Sequence, residues 1–137
     1  MFRAYFPPKS CMPNNAKIKI NRNKWLRGKG SDKSTLLNSS GKMCCLGFLS
    51  RAYGYKAKDI KHKNCLSNLY NEIQYKFLPE NMLIQSNNFL NIFYESNLTA
   101  TLMDINDNYL LTDEERIAEL NKTCENLNAD FKFVLED

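Results

Sequence analysis

Two groups of residues in this chain have the types and spacing for chemistry. The first is the adjacent pair Cys44 and Cys45, followed later by the single histidine, His62, and by Asn106 and Asp107. Ser39, Ser40 and Gly41 read as helix-start residues, which puts both thiols in a first turn. Free amides and aligned peptide dipoles there favour the thiolate. A histidine can take the thiol proton, and an asparagine or aspartate can orient the ring. The second group is the loop residues Lys24, Trp25, Arg27, Lys29 and Lys33. Arginine and tryptophan dominate binding hot spots, and a basic patch speeds encounter with anions. Gly28 and Gly30 would let the loop backbone approach a partner closely. Gly28-Lys29-Gly30-Ser31 lacks the Gly-Lys-Ser/Thr ending of a phosphate loop.

Each group also has a plainer reading. Free cysteines usually pack as small hydrophobes. Trp25 would serve equally as a core anchor, with the lysines as a solvated face. His62 follows Cys44 by 18 residues and Cys45 by 17. That is very short for a papain-like thiol hydrolase, and His62 sits among Lys56, Lys58, Lys61 and Lys63 rather than on a strand. Cys44, Cys45, His62 and Cys65 are metal-ligand types, but adjacent cysteines are not the two-residue-spaced knuckle of a zinc site. No metal and no cofactor is expected. Trp25, Tyr53 and Tyr55 could stack on bases, yet no nucleic-acid module is recognisable, so nucleic acid ranks below an acidic protein as partner.

The elements that must position these residues follow from periodicity. Lys17-Ile18-Lys19-Ile20-Asn21-Arg22 alternates as a half-buried strand. Met43, Leu46, Leu49 and Tyr53 predict a helix over 42–53, stopped by Gly54. Leu66, Leu69, Tyr70, Ile73 and Phe77 predict another over 65–78, ended by Pro79. Residues 81–94 read as a hairpin around Ser86-Asn87-Asn88. Leu98, Leu102 and Ile105 predict a short helix that stops at Asn106-Asp107-Asn108. Thr112-Asp113-Glu114-Glu115 is a capping box opening a helix over 113–127. Phe131, Phe133 and Leu135 then alternate as a strand. Asp130, Lys132 and Glu136 on its other face would suit Lys17, Lys19 and Arg22 across a sheet. The expected fold is α+β: a small sheet that includes the N- and C-terminal strands, packed by three to four helices. Residues 1–16 read as an irregular proline-rich arm, and 17–137 as a single domain.

The chain of 137 residues is long enough to bury a real core. No apolar run follows the N-terminal positive charge, and no stretch approaches a membrane span, so a cytoplasmic protein with reduced cysteines is expected. The Asn-X-Ser/Thr sequences at Asn38, Asn97 and Asn121 then carry no meaning. A net charge of +4 conceals an asymmetry: residues 1–63 hold 15 Lys or Arg against 2 acids, and 64–137 hold 4 against 13. Either the halves neutralise each other on folding, or the basic half faces a partner.

Ile18, Asn23-Lys24-Trp25-Leu26-Arg27-Gly28, Leu36-Leu37 and Gly41-Lys42-Met43-Cys44-Cys45-Leu46-Gly47-Phe48, with Ala52 and Gly54, resemble a family of small proteins encoded by bacteriophages and prophages. Leu102-Met103-Asp104-Ile105-Asn106-Asp107, Glu115-Arg116 and the terminal strand resemble it as well. The likeness spans about 17–60 and 98–135. It implies an accessory protein that binds, and inhibits or sequesters, a host component such as a defence factor. The contact would run through Lys24, Trp25, Arg27, Lys29 and Lys33. The partner would be a host protein with an acidic surface or a small anionic, nucleotide-like ligand, and a homo-oligomer stays compatible. The alternative is the papain-like thiol hydrolase using Cys44 or Cys45 with His62.

Overall fold

The computed structural model describes residues 15–32, 34–73, 76–86 and 92–137. Lys33, most of the 1–16 arm and the tip of the 81–94 hairpin lie outside the described residues. The alternating segment becomes β1 (Ala16–Asn21), and the terminal one becomes β4 (Phe131–Glu136). The two pair with each other in parallel, with Ile18 opposite Phe133 and Ile20 opposite Leu135. Ala16, Ile18 and Ile20 turn inward with Phe131 and Phe133, while Lys17, Lys19 and Lys132 face solvent. The strands that open and close the described chain thus form one small sheet, as expected.

A 3-10 turn, Arg22–Lys24, leads from β1 into the loop. Among the described residues there are five helices, α1 (Cys45–Ala52), α2 (Ala57–Ile60), α3 (Leu66–Glu72), α4 (Asn97–Asp107) and α5 (Asp113–Asn126). Between α3 and α4, β2 (Leu83–Gln85) and β3 (Phe93–Glu95) form an antiparallel pair. The fold is α+β, and one apolar cluster joins the terminal sheet, the helices and Met82 beside the hairpin. Its fully buried members include Ile18, Leu36, Leu46, Leu49, Ile60 and Leu102. Each such side chain contributes about 1.5–3 kcal/mol by leaving water.

Local chemistry sets most element ends. Thr112 Oγ1 accepts from Glu115 N–H (3.1 Å) and Glu115 Oε1 accepts from Thr112 N–H (2.9 Å), so the capping box of α5 is complete. Gly54, at φ +110°, follows the end of α1. Two elements depart from expectation. Helix α1 begins at Cys45, not 42, because Asn38 captures the preceding chain. Its Oδ1 accepts from Ser40 and Lys42 N–H (2.9 Å each), and Met43 instead bridges to Trp25. Helix α3 stops at Glu72 rather than running to 78. Ile73 turns extended (φ −107°, ψ 133°), and its carbonyl accepts from the Lys76 ammonium (3.0 Å). Asn71 is drawn sideways onto β3: its Oδ1 accepts from Phe93 N–H (3.1 Å) and its Nδ2 donates to Phe93 O (3.2 Å).

One close approach holds α1 in place. A Cβ on Gly47 would lie 1.9 Å from the backbone oxygen of Leu36. Only a bare α-carbon lets the helix pack against that strand-like segment.

Candidate functional site

The basic loop is sewn into the molecule by its backbone before its side chains act. Met43 N–H donates to Lys24 O (2.8 Å), and Leu26 N–H donates to Met43 O (2.7 Å). Gly28 N–H then donates to Asn106 O (2.9 Å) and Gly30 N–H to Asp107 O (2.7 Å). The last carbonyls of a helix lack partners within it. Both glycines, at φ +70° and +62°, present their amides to those of α4. The close approach that the two glycines allow is therefore to α4 of the same chain.

Asn106 lies at the centre. Its Oδ1 accepts from Trp25 Nε1 (2.8 Å) and from Cys45 N–H (2.9 Å), while its Nδ2 donates to Leu26 O (3.0 Å) and Asp107 Oδ1 (3.0 Å). The bond to Cys45 N–H supplies an N-terminal cap to α1, whose own Ncap residue, Cys44, makes no side-chain cap bond. Asp107 also accepts from Ser34 Oγ (2.8 Å). Asn106, Asp107 and Ser34 are all buried, and buried polar groups of this kind are tolerated because each finds partners.

Trp25 is 2% exposed, and Arg27 and Arg116 flank its ring, with guanidinium carbons 5.2 Å and 5.6 Å from the centroid. Arg27 grips Asp113 through two parallel bonds, Nε to Oδ1 (2.8 Å) and Nη2 to Oδ2 (2.7 Å). Arg22 Nη1 (2.9 Å) and Arg116 Nη1 (3.1 Å) meet the same carboxylate. The hydrogen bonds from Arg27, with the charges of the three arginines, hold the Asp113 carboxyl below its ordinary range. Burial pulls the Arg116 guanidinium down from its ordinary value, and its Nη2 donates to Asn108 O and Leu111 O (2.6 and 2.9 Å).

These distances redistribute the expected contact residues. Trp25 and Arg27 face inward and brace the loop, because their partners Asn106 and Asp113 close over them. Lys24 and Lys29 stay exposed. Beside them, Tyr109 and Leu110 stand 72% and 75% exposed on the α4–α5 turn, and Tyr109 packs against the Gly28–Gly30 backbone. Sequence reading passed over Tyr109 and Leu110; the only signal was two large apolar residues directly after an Asn-Asp-Asn turn.

The thiol group is not assembled as a catalytic set. Cys44 and Cys45 are both fully buried. Desolvation pushes the Cys44 thiol up to about 12 and raises Cys45 well above its ordinary value. Desolvated thiols of this sort are inert. His62 is exposed, in a left-handed conformation (φ +63°), and its N–H donates to Leu37 O (2.8 Å). Asn106 does reach Cys45, but through the backbone amide rather than the sulfur. Among the described residues no group of three His, Cys, Asp or Glu side chains is placed to hold a metal ion, and no helix is long and apolar enough to cross a membrane. A cavity of about 580 Å³ lies between α3 and the hairpin, lined by Tyr70, Lys76, Phe77, Leu78, Met82 and Phe93. None of the expected site residues that are described lines it.

Charge asymmetry is partly resolved within the fold. Arg22 meets Asp113, Glu114 and Asp137, Arg27 meets Asp113, and Lys63 meets Glu72 (2.5 Å). Of the cross-sheet pairs expected, Lys19 lies 3.9 Å from Glu136, an exposed pair of little energetic weight, and Arg22 pairs with Asp137 instead. Lys17 stands opposite Lys132.

Comparison of the chain with protein-family models, with curated proteins and with solved structures finds no match. What fold and site together define is an α+β protein whose basic loop is clamped from within by a buried polar knot.

Proposed function

We propose that this chain is a binding module rather than a thiol enzyme. In this reading it is a phage-type accessory protein that docks on an acidic surface of a host protein. The contact face comprises Lys24 and Lys29 with Tyr109 and Leu110. The observation that carries it is the exposure of Tyr109 and Leu110 directly beside a basic loop whose backbone is fixed by Asn106. An aromatic and an aliphatic side chain carried on a backbone that is already fixed lower the ordering cost of binding. Exposed lysines around them speed encounter with an acidic partner. The buried state of Cys44 and Cys45 supports binding over nucleophilic catalysis. The resemblance to phage-encoded proteins supports a bacterial host factor as the target, with inhibition or sequestration as the outcome.

A photo-crosslinking amino acid in place of Leu110 tests the reading in host lysate. One defined protein should be captured, and capture should fall about tenfold when Lys24→Glu and Lys29→Glu are combined, as expected of a contact steered by charge. Capture of nothing, or capture indifferent to both substitutions and to salt, would overturn it.

A further inference from the structure

Strand edges in this protein are treated unequally. Asn121 of α5 closes the outer edge of β4: its Oδ1 accepts from Phe133 N–H (2.7 Å) and its Nδ2 donates to Phe133 O (2.9 Å). A side-chain amide there takes the place of a neighbouring strand. Asn71 of α3 does the same at Phe93 of β3. The same device on two separate sheets marks open edges as something this fold fills.

Among the described residues, the outer edge of β1 has no such plug. Ala16 N–H donates to Asp130 O, immediately before β4 (3.0 Å), so Ala16, Ile18 and Ile20 direct their backbone groups into the parallel ladder. Alternation along a strand then turns the amides and carbonyls of Lys17 and Lys19 the other way. The bonding of Phe133 to Asn121 fixes the same alternation independently from the β4 side. Among the described residues nothing bonds the Lys17 or Lys19 backbone at that edge. The solvent face beside it carries Lys17, Lys19 and Lys132, with Glu136 3.9 Å from Lys19.

We infer that the β1 edge is a docking site for an extended acidic segment of a partner protein, which adds a strand beside Lys17 and Lys19. Backbone pairing would supply affinity, and carboxylates at alternate positions would meet the two ammonium groups. Charge selects this occupant over a second copy of the chain. Two β1 strands side by side would set Lys17 and Lys19 against their own counterparts, and like charges directly opposite are destabilising. The site is separate from the loop face of Tyr109 and Leu110 and stands or falls without it.

The test uses the full chain and the synthetic peptide Ser-Glu-Val-Glu-Val-Glu-Ser. Two further versions carry backbone N-methyl groups, one on the glutamates and one on the valines. Only alternate amides of an added strand face its neighbour, so one methylated version should lose binding and the other should keep it. Saturating peptide should slow hydrogen exchange at the Lys17 and Lys19 amides about tenfold or more, as for amides entering a ladder. Lys17→Glu with Lys19→Glu, both at exposed positions, should leave the circular dichroism unchanged and weaken binding about tenfold. Three results would each overturn the inference. These are equal binding of both methylated peptides, protection of the Lys17 and Lys19 amides already in the free protein, and a dimer in sedimentation whose exchange protection maps to β1.

Discussion

Trp25 Nε1 lies 2.8 Å from Asn106 Oδ1, a bond between residues 81 positions apart. Through that asparagine the loop, the N-terminus of α1 and the C-terminus of α4 share one side chain. The backbone of a loop that reads as solvated in sequence is thereby tied to the interior while Lys24 and Lys29 stay in water, and the indole becomes a strut.

Asn106 should accordingly tolerate no replacement. Asn106→Leu leaves Trp25 Nε1, Cys45 N–H and Leu26 O without partners, and unsatisfied buried groups cost about 1–3 kcal/mol each. A loss of roughly 3–5 kcal/mol in urea unfolding is expected once partial relaxation is allowed for. Asn106→Asp, which removes the donors to Leu26 O and Asp107 and places a second carboxyl against Asp107, should cost at least as much. A variant within 1 kcal/mol of the parent, taken as about the error of such comparisons, would show that the knot is not cooperative.

Asp113 gathers Arg22, Arg27 and Arg116, and Arg116 is only 3% exposed. Asp113→Asn should cost about 2–4 kcal/mol, because a guanidinium is left behind in the interior. The pH dependence has a definite sign. The folded carboxyl titrates below its ordinary value of 3.8. Its contribution is therefore complete above that value and disappears as pH falls through the lower folded one. Denaturant midpoints measured from pH 5 down to pH 2 should drop less steeply in Asp113→Asn than in the parent.

Gly47 and Gly41 make an internal comparison. Replacing a helical glycine by alanine ordinarily gains about 1 kcal/mol. Gly47→Ala should instead lose about 3 kcal/mol or more, since its Cβ would strike Leu36 O at 1.9 Å. Gly41→Ala meets nothing within 4 Å and carries only the strain of φ +81°, on the order of 1–2 kcal/mol. Thermal melts of the two variants should separate them clearly, and equal melting points would contradict the close approach.

The described thiols should react in order of access. Cys65 is half-buried, whereas Cys44, Cys45 and Cys124 are buried. Iodoacetamide followed by peptide mapping should label Cys65 first. With Cys44 and Cys124 each pushed up to about 12, moving from pH 7 to pH 9 should not open either to labelling in the folded state. Rapid neutral alkylation of Cys44 or Cys45 would restore the thiol-enzyme reading.

Much of the fold was legible wherever the signal is local. Alternation in Lys17–Arg22 and Phe131–Leu135 marks both terminal strands, and the Thr112–Glu115 box marks the start of α5 to the residue. The start of α1 was misplaced because its cap comes from Asn106, 61 positions away, rather than from Ser39 or Ser40. For Trp25 the core-anchor reading was open from the sequence and is the one the structure bears out, but the role of Arg27 was illegible: whether an arginine meets water or Asp113 depends on a contact that no short window contains. Asn121 and Asn71 gave no signal at all, since an asparagine on a helix face looks the same whether it is solvated or bonded to a strand edge.

Parallel pairing of β1 with β4 also constrains how the chain is made. Parallel strands cannot be joined by a tight turn, and here nearly the whole domain serves as the crossover. During synthesis Ile18 and Ile20 leave the ribosome more than a hundred residues ahead of Phe131 and Phe133, their neighbours in the sheet. Helices α1 to α5 can gain local structure meanwhile, but this sheet closes only once β4 has emerged. Folding should therefore be governed by closure of a long loop, and be slow for its size.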